Sequence, residues 1–391
     1  MKILILSFYF RPDLSAGSFR TTTLVDAILK KLPSDGQIEV LTTLPNRYSS
    51  FSVDAPAQEQ KPNLSIVRIA LPQHQSGMLD QARAFITFAR AVNHRVNTQK
   101  YDLVYATSSR LMTAALGAWV ARKKRIPLYL DIRDIFVDTI KDVLPKHLAL
   151  LAKPVFSVLE RWTINSSSKV NLVSQGFAEY FSTRYPRQHF SYFTNGIDDE
   201  FLSGSQILEK VEASAIPLVL YAGNLGEGQG LHSILPDLAR RMQGRARFRV
   251  IGDGGRKEAL KDALEKVGVG NVELLPPMKR EQLIREYQAA DVLFLHLNDY
   301  DAFRKVLPSK LFEYGAMGKP IWAGVSGYAA EFVRTELDNA AVFHPCDATE
   351  AIKVFDQLNF QQTDRSRFVT KFARKNIAES MASDIMELCH E

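Results

Sequence analysis

Short, almost continuously apolar runs alternate with longer amphipathic stretches twice along this 391-residue chain, and that repeated alternation constrains the fold more than any other feature. In the first half, residues 2–10, 38–44, 64–71, 103–107, 128–132, 170–173 and 190–194 read as strands. Runs that are apolar throughout suit strands buried on both faces, and helical patterns between them imply a parallel sheet with right-handed crossovers. Only residues 38–71 place two strands in succession without a clear helix. A second set follows at 218–222, 248–252, 272–275, 292–295, 321–323 and 341–343. The expected class is α/β, with two Rossmann-like doubly wound domains. Open parallel sheets bind ligands beyond the carboxyl ends of their strands, so two facing domains are expected to share an interdomain cleft. Asn195-Gly196-Ile197-Asp198-Asp199 is turn-rich, and the polar segment 203–214 after it suits a hinge. The expected domains are 1–197 and 198–364. Residues 365–391, a helical pattern with no strand after it, are expected to cross back to the first domain.

Several function classes fall away on composition. With 46% hydrophobic and 24% charged residues the chain has the makeup of a soluble globular protein, long enough for two cores. Cys346 and Cys389 lack metal-ligand spacing, so neither a disulfide framework nor a zinc site is indicated. The apolar start KILILSFYF is interrupted by Arg11-Pro12-Asp13, with no small-residue cleavage site behind it, and no run approaches the roughly 20 residues of a membrane span. A cytoplasmic location is expected. Net charge is +6, but residues 81–187 hold 17 Lys and Arg against 7 Asp and Glu, a local +10. No nucleic-acid-binding motif accompanies that charge, so nucleic acid is not an expected partner. Anionic lipid, a phosphorylated acceptor or plain solvation remain open. Arg122-Lys123-Lys124-Arg125 and the stretch 144–162 suit the surface of an anionic membrane, at the inner face of the cell membrane; a buried helix with solvated ends fits 144–162 equally.

Candidate chemistry gathers at strand ends. Tyr221-Ala222-Gly223-Asn224-Leu225-Gly226 runs through Gly228 and Gly230 into a helix, where glycines let backbone N–H groups approach a phosphate at a helix N-terminus. A plain tight turn is the alternative. The spacing is not the dinucleotide fingerprint, which counts against a nicotinamide-dependent oxidoreductase. Gly252-Asp253-Gly254-Gly255 closes the next strand similarly, either lining the crevice or forming a turn without ligand contact. In Arg304-Lys305-Val306-Leu307-Pro308-Ser309-Lys310-Leu311-Phe312-Glu313, Pro308 and Ser309 read as a helix start with Ser309 as cap. Lys310 and Glu313 then share one face. A carboxylate suits the paired hydroxyls of a ribose; Arg304, Lys305 and Lys310 suit a diphosphate. A surface Lys–Glu pair is the alternative. In the first half, residues 11–20 carry Gly17, which permits close backbone approach at a helix starting near Ser18, and Arg20, expected to reach toward the cleft. Asp131-Ile132-Arg133-Asp134 supplies two carboxylates and an arginine at another strand end, for an acceptor or for internal salt bridges. Asp299-Tyr300-Asp301 has a spacing that can hold a divalent ion, but no third ligand is evident, and no metal is assigned.

In order and spacing, residues 221–230, 252–254, 272–278, 283–292 and 308–320 resemble the retaining glycosyltransferases of family 4, which have the GT-B fold. Residues 7–20, 131–134 and 194–201 resemble the same family more loosely. The resemblance implies transfer of a sugar, with retention, from a nucleoside diphosphate sugar such as a UDP-sugar to a glycan or lipid-linked acceptor in bacterial surface polysaccharide synthesis. It implies the base near Pro277 and Met278, the ribose hydroxyls on Glu313, the diphosphate between residues 223–230 and Gly17, and no metal cofactor. Four positions depart from the family pattern. Asn224 and Gln229 stand where the family has an arginine and a lysine, Lys305 where its first glutamate stands, and Asp134 nearest the place of its first-domain histidine. Asp134 is therefore the expected group to orient the acceptor or take its proton, and Arg20, Asp131 and Arg133 the expected acceptor side. A nucleotide-sugar epimerase of the same fold, or a nucleotide-sugar-binding subunit without catalysis, are the competing readings.

Overall fold

The computed structural model describes residues 1–13, 15–45, 54–72, 78–108, 111–135, 137, 146–203 and 216–389. Its first sheet begins with β1 (Lys2–Leu6), in which Ile3 to Leu6 are fully buried, as a strand covered on both faces requires. β2 (Gln37–Thr43), β3 (Gln58–Lys61), β4 (Leu64–Ile69), β5 (Leu103–Thr107), β6 (Leu128–Ile132), β7 (Lys169–Leu172) and β8 (Phe190–Ser191) follow. Among the described residues the sheet order is β3-β4-β2-β1-β5-β6-β7-β8, parallel except for the β3–β4 pair. The chain winds outward from β1 to β2 and returns to β1's other side for β5, which sets the topological switch point between β1 and β5.

The second sheet repeats the plan with β9 (Leu218–Asn224), β10 (Arg247–Asp253), β11 (Val272–Leu275), β12 (Val292–His296), β13 (Ile321–Gly324) and β14 (Ala340–Phe343). Its order is β11-β10-β9-β12-β13-β14, all parallel, with the switch point between β9 and β12. In the first unit Ile3, Ile5, Val40, Tyr105 and Tyr129 pack on Leu24 and Ile28 of the helix Ala16–Leu29 and on Met381 and Ile385 of the helix Arg374–Glu387. In the second, Val219, Phe248, Phe294, Trp322 and Phe343 pack on Leu231, Ile234 and Leu238 of the helix Leu231–Arg241.

Two compact units result, Met1–Asn195 with Arg374–Glu391, and Gly196–Ala373. The chain returns to the first unit at Arg374, later than the 365 expected. The intervening helix Ser366–Phe372 stays with the second unit because Phe368 and Phe372 pack on the Phe312 ring at 6.3 and 5.4 Å. The polar segment 204–214, Leu14 and residues 144–145 lie outside the described residues. β3 is a strand the sequence did not announce: QEQK has no apolar face. As an edge strand it needs none, and its charges suit the position; Glu59 pairs across the hairpin with Arg68 at 2.9 Å.

Candidate functional site at the carboxyl ends of the strands

The second unit concentrates polar chemistry at its switch point. The helix Lys310–Ala316 lies with Lys310 against the end of β9, so closely that a β-carbon on Gly223 would stand 2.7 Å from Lys310 Cε. Glu313, one turn on, accepts from Lys310 Nζ at 3.4 Å and from the Tyr287 hydroxyl at 3.0 Å, both through Oε2. Oε1 has no hydrogen-bond partner among the described residues. Neither Lys310 nor Glu313 is a freely solvated surface residue, with side chains 22% and 18% exposed. Tyr287 is completely buried, edge-on to Tyr314 at 5.4 Å and stacked on Phe201 at 6.0 Å, so its hydroxyl is a fixed anchor for the carboxylate. Burial, then the charge of Glu313, pushes the Tyr287 phenol well above its ordinary range, which keeps it a donor. Ser309 does not cap this helix. It has helical dihedrals, φ −60° and ψ −25°, where a capping side chain needs an extended backbone, and Pro308 and Ser309 instead accept through their carbonyls.

The glycine loops are locked to each other. A β-carbon on Gly252 would meet the Gly223 carbonyl oxygen at 1.9 Å, and one on Gly254 would meet Leu225 backbone at 2.6 Å. Leu225 N–H donates to the Asp253 carbonyl at 2.9 Å, and Arg256 N–H to that of Leu225 at 2.8 Å. Close loop packing thus accounts for Gly252 and Gly254, while the Asp253 carboxylate accepts from Gly254 N–H at 2.9 Å. Asn224 Nδ2 donates to Gln229 Oε1 at 2.8 Å across the first loop, so the two residues that replace the family's cations bind one another. Gly226 lies beneath them, where a β-carbon would stand 2.4 Å from Asn224 Nδ2 and would displace that side chain. The Tyr300 hydroxyl donates to Glu227 at 2.6 Å and holds its carboxyl below the usual range; Arg256 pairs with it as well.

Arg304 is half exposed and pairs at the surface with Asp299 and Asp301 at 3.4 and 3.5 Å, so it would serve a diphosphate only by exchanging those partners. The same pairs occupy the D-x-D carboxylates, and no cluster of three or more His, Cys, Asp or Glu able to hold a metal occurs among the described residues. Lys305 is half-buried just after that turn, and Pro277 and Met278, also half-buried, follow β11. Arg280, at the start of the Tyr287 helix, is tied to Asp198 and lies over the Phe201 ring at 4.7 Å.

His296, at the end of β12, is fully buried. Nδ1 donates to the Gln229 carbonyl at 2.7 Å and Nε2 accepts from Cys346 N–H at 2.9 Å, a pattern that only the neutral ring satisfies. Burial pulls its pKa down to about 4. The native state therefore refuses a proton that the unfolded chain takes up near 6.5. The resulting stability is complete above pH 6.5 and is lost as pH falls toward 4, about 3 kcal/mol in all. The stability difference between wild type and His296→Gln, measured by denaturant unfolding from pH 7 to 4, is expected to shrink by about that amount. A pH-independent difference would contradict the assignment.

The first unit corrects the expected roles of Arg20 and Asp131. Both are buried, and they bind each other twice, Nε to Oδ2 at 2.8 Å and Nη2 to Oδ1 at 3.0 Å. Arg20 also donates to the carbonyls of Thr194 and Phe193 at 2.6 and 2.7 Å. Asp131 also accepts from the Tyr105 hydroxyl at 3.0 Å and Asn171 Nδ2 at 2.7 Å. Burial opposes the charge on Asp131, yet Arg20 holds its pKa below the ordinary value. This pair ties the first helix to β5, β6 and β7; neither member reaches solvent. Gly17 is buried in the first turn of that helix, behind the cap Ser15, which accepts from Ser18 N–H at 3.2 Å. Arg133 follows β6 with its backbone N–H on Ser108 Oγ at 2.9 Å. Asp134 is exposed; crowding by the surrounding protein pushes its carboxyl up to about 6 against the pull of Arg133, and solvent at the exposed side chain shrinks that shift. Tyr287, Tyr300 and His296 are parts of the second unit's site that sequence reasoning did not single out as such.

Residues 25–196 match the family model described as "Glycosyl transferase 4-like domain", and residues 207–375 the model "Glycosyl transferases group 1". Over 101 residues the chain is 31% identical to the protein of Escherichia coli (strain K12) named "Putative colanic acid biosynthesis glycosyl transferase WcaI"; the match spans 26% of this chain and a quarter of that relative's length. Among solved structures, WaaG, a glycosyltransferase involved in lipopolysaccharide biosynthesis, superposes with a TM-score of 0.65 at 14% identity, covering 100% of this chain and 98% of WaaG. Anabaena Alr3699/HepE in complex with UDP and glucose gives 0.61 at 17% identity, covering 100% and 97%. The trehalose 6-phosphate synthase of Burkholderia multivorans gives 0.71 at 11%, covering 100% and 96%. At such identities the likeness is one of fold, and the fold is GT-B.

Proposed function

We propose that this chain, built from a glycosyl transferase 4-like domain and a glycosyl transferases group 1 domain, moves a sugar from a UDP-sugar to a glycan or lipid-linked acceptor with retention, in polysaccharide synthesis. The observation that carries the reading is the Glu313–Lys310 pair, fixed by Tyr287 beside the backbone of Gly223 at the switch point of the second sheet. A carboxylate held through one oxygen leaves the other for the vicinal hydroxyls of a ribose. The ammonium beside it faces the loop 223–230, where a diphosphate would gain both charge and backbone donors. The base would rest near Pro277 and Met278, and Arg304 would join only by exchanging Asp299 and Asp301 for phosphate. Leaving-group departure is the hard step, and Lys310 stabilises the charge that develops on the diphosphate, so a metal ion is not required. Asp134 orients the acceptor or takes its proton.

Peripheral contact with an anionic membrane, at the inner face of a cell membrane, belongs to the same proposal. Val155 and Val158 on the helix Lys146–Asn165 are 66% and 70% exposed, and Trp119, on the helix Leu111–Lys124, carries Lys123 over its ring. Among the described residues no helix is long and apolar enough to cross a membrane. The Asn224–Gln229 pair favours a second reading, a subunit that binds nucleotide without turnover.

Calorimetric titration with UDP, GDP and ADP, with and without Mg²⁺, tests the proposal. Selective UDP binding of equal strength with and without the metal is expected, with release of UDP when donor and acceptor are supplied together. Binding without release leaves the subunit reading; donor converted without acceptor means epimerisation; no nucleotide binding removes the donor site altogether.

A further inference from the structure

Two ring nitrogens are sealed in an aromatic slot at the end of β12. The His296 ring stacks on Phe294 and Phe343 at 6.2 and 6.1 Å, and a β-carbon on Gly324 would stand 2.4 Å from its Cδ2. That packing fixes the plane of the ring, and its nitrogens face two different loops. Nδ1 donates to the Gln229 carbonyl in the loop after β9, and Nε2 accepts from the Cys346 N–H in the loop after β14. An apolar side chain would fill this slot without the cost of desolvating an imidazole, so the contribution of the ring lies in the two loops it joins.

Asn298, two residues on, grips the same turn. Its backbone N–H donates to the Gly228 carbonyl at 2.8 Å and its Nδ2 to the Glu227 carbonyl at 3.1 Å, while its Oδ1 accepts from the Cys346 thiol at 3.3 Å. Three successive carbonyls, those of Glu227, Gly228 and Gln229, are thus drawn onto the end of β12. A trans peptide points its N–H opposite to its carbonyl, so the Gly228 N–H is turned away from Asn298, and it has no hydrogen-bond partner among the described residues. Gln229, held by its carbonyl, accepts through its side chain from Asn224 at 2.8 Å. With glycines at 226, 228 and 230 the turn has little conformational preference of its own. Its shape is imposed from β12.

We propose that His296, assisted by Asn298, is a positioning residue for the donor: by holding the Gln229 carbonyl it keeps the loop 224–230 in the shape that receives a nucleoside diphosphate. The identity of that ligand rests on the transferase reading above. His296 is fully buried and acts through Gln229, without touching the ligand itself. Deprived of its donor, the Gln229 carbonyl turns toward water, and the peptide that follows rotates with it. The diphosphate then meets a loop no longer set in advance, while the ribose on Glu313 and the base near Pro277 are gripped as before.

The two nitrogens can be separated by substitution. In His296→Asn the amide Nδ2 stands where Nδ1 does and still donates to Gln229. In His296→Gln the amide oxygen stands where Nε2 does and still accepts from Cys346 N–H, but the Gln229 carbonyl loses its donor. Affinities of the full chain for UDP and for uridine are measured by calorimetric titration, with the melting temperature of each variant alongside. His296→Gln is expected to weaken UDP binding by about tenfold and uridine binding by less than about twofold. His296→Asn should recover most of the UDP affinity, although both variants melt lower than wild type. Asn298 is only half-buried, so Asn298→Ala carries the test if neither His296 variant folds, and it should repeat the split, with UDP weakened severalfold and uridine unchanged. A merely structural role would order the variants by melting temperature and would not distinguish UDP from uridine. UDP binding to His296→Gln at wild-type strength, equal losses for UDP and uridine, or equal UDP losses in the two His296 variants would each overturn the inference and leave the donor site standing. Wild type that binds neither UDP nor uridine would overturn the transferase reading and this inference with it.

Discussion

Glu313→Ala is expected to lose UDP affinity by about 100-fold and to lower kcat/KM with the UDP-sugar by 100-fold or more. Each hydrogen bond from a ribose hydroxyl to a carboxylate contributes about 1.5–3 kcal/mol, and the two hydroxyls share this one side chain. The loss reaches beyond those bonds, since the Tyr287 hydroxyl is left buried without its acceptor and Lys310 without its neighbouring charge. Glu313→Gln separates the effects. Its amide oxygen still accepts from Tyr287, so the fold is retained, and the affinity loss should be nearer tenfold. Titration of wild type and Glu313→Ala with UDP and with 2′-deoxy-UDP completes the check. Wild type should discriminate strongly between the two nucleotides and the alanine variant hardly at all. Equal discrimination by both proteins would move the ribose away from Glu313.

Where the sequence was legible, local pattern carried the information. Apolar runs such as KILIL and LVLYA specify strands because burial on both faces leaves no room for polar side chains, and the two sheets follow. Lys310 and Glu313 were legible because helical spacing alone puts them on one face. QEQK was not, since an edge strand is stabilised by its neighbour β4 and not by its own apolar residues. Ser309 misled because composition suggests a cap but backbone angles decide it. Tyr287 reaches Glu313 across 26 residues, and Arg20 reaches Asp131 across 111, distances over which no local pattern indicates which charge will be buried. A charged residue at a strand end therefore looks the same in the sequence whether it faces a ligand or, like Asp131, holds the sheet together.

Arg20 and Asp131 are the case where that ambiguity has the largest energetic consequence. Arg20→Met is expected to cost about 3–5 kcal/mol, because it strands a buried carboxylate that keeps only Tyr105 and Asn171 as donors. It also leaves the Thr194 and Phe193 carbonyls without the donors that tie the end of the first unit to its first helix. For a unit of this size that is a fall of roughly 10 °C in its melting transition. Asp131→Asn should cost a similar amount for the opposite reason, a sealed guanidinium without its carboxylate. Combining Arg20→Met with Asp131→Leu removes both charges and should recover part of the loss, although the Tyr105 hydroxyl then lacks its acceptor and Asn171 keeps only the Phe193 carbonyl. Differential scanning calorimetry of the three variants reads these changes directly. Near-additive losses in the double variant would mean that the two charges act independently, contrary to the bidentate pair. A catalytic or acceptor-binding role for either residue would appear instead as lost turnover at unchanged melting temperature, the opposite of the expected pattern.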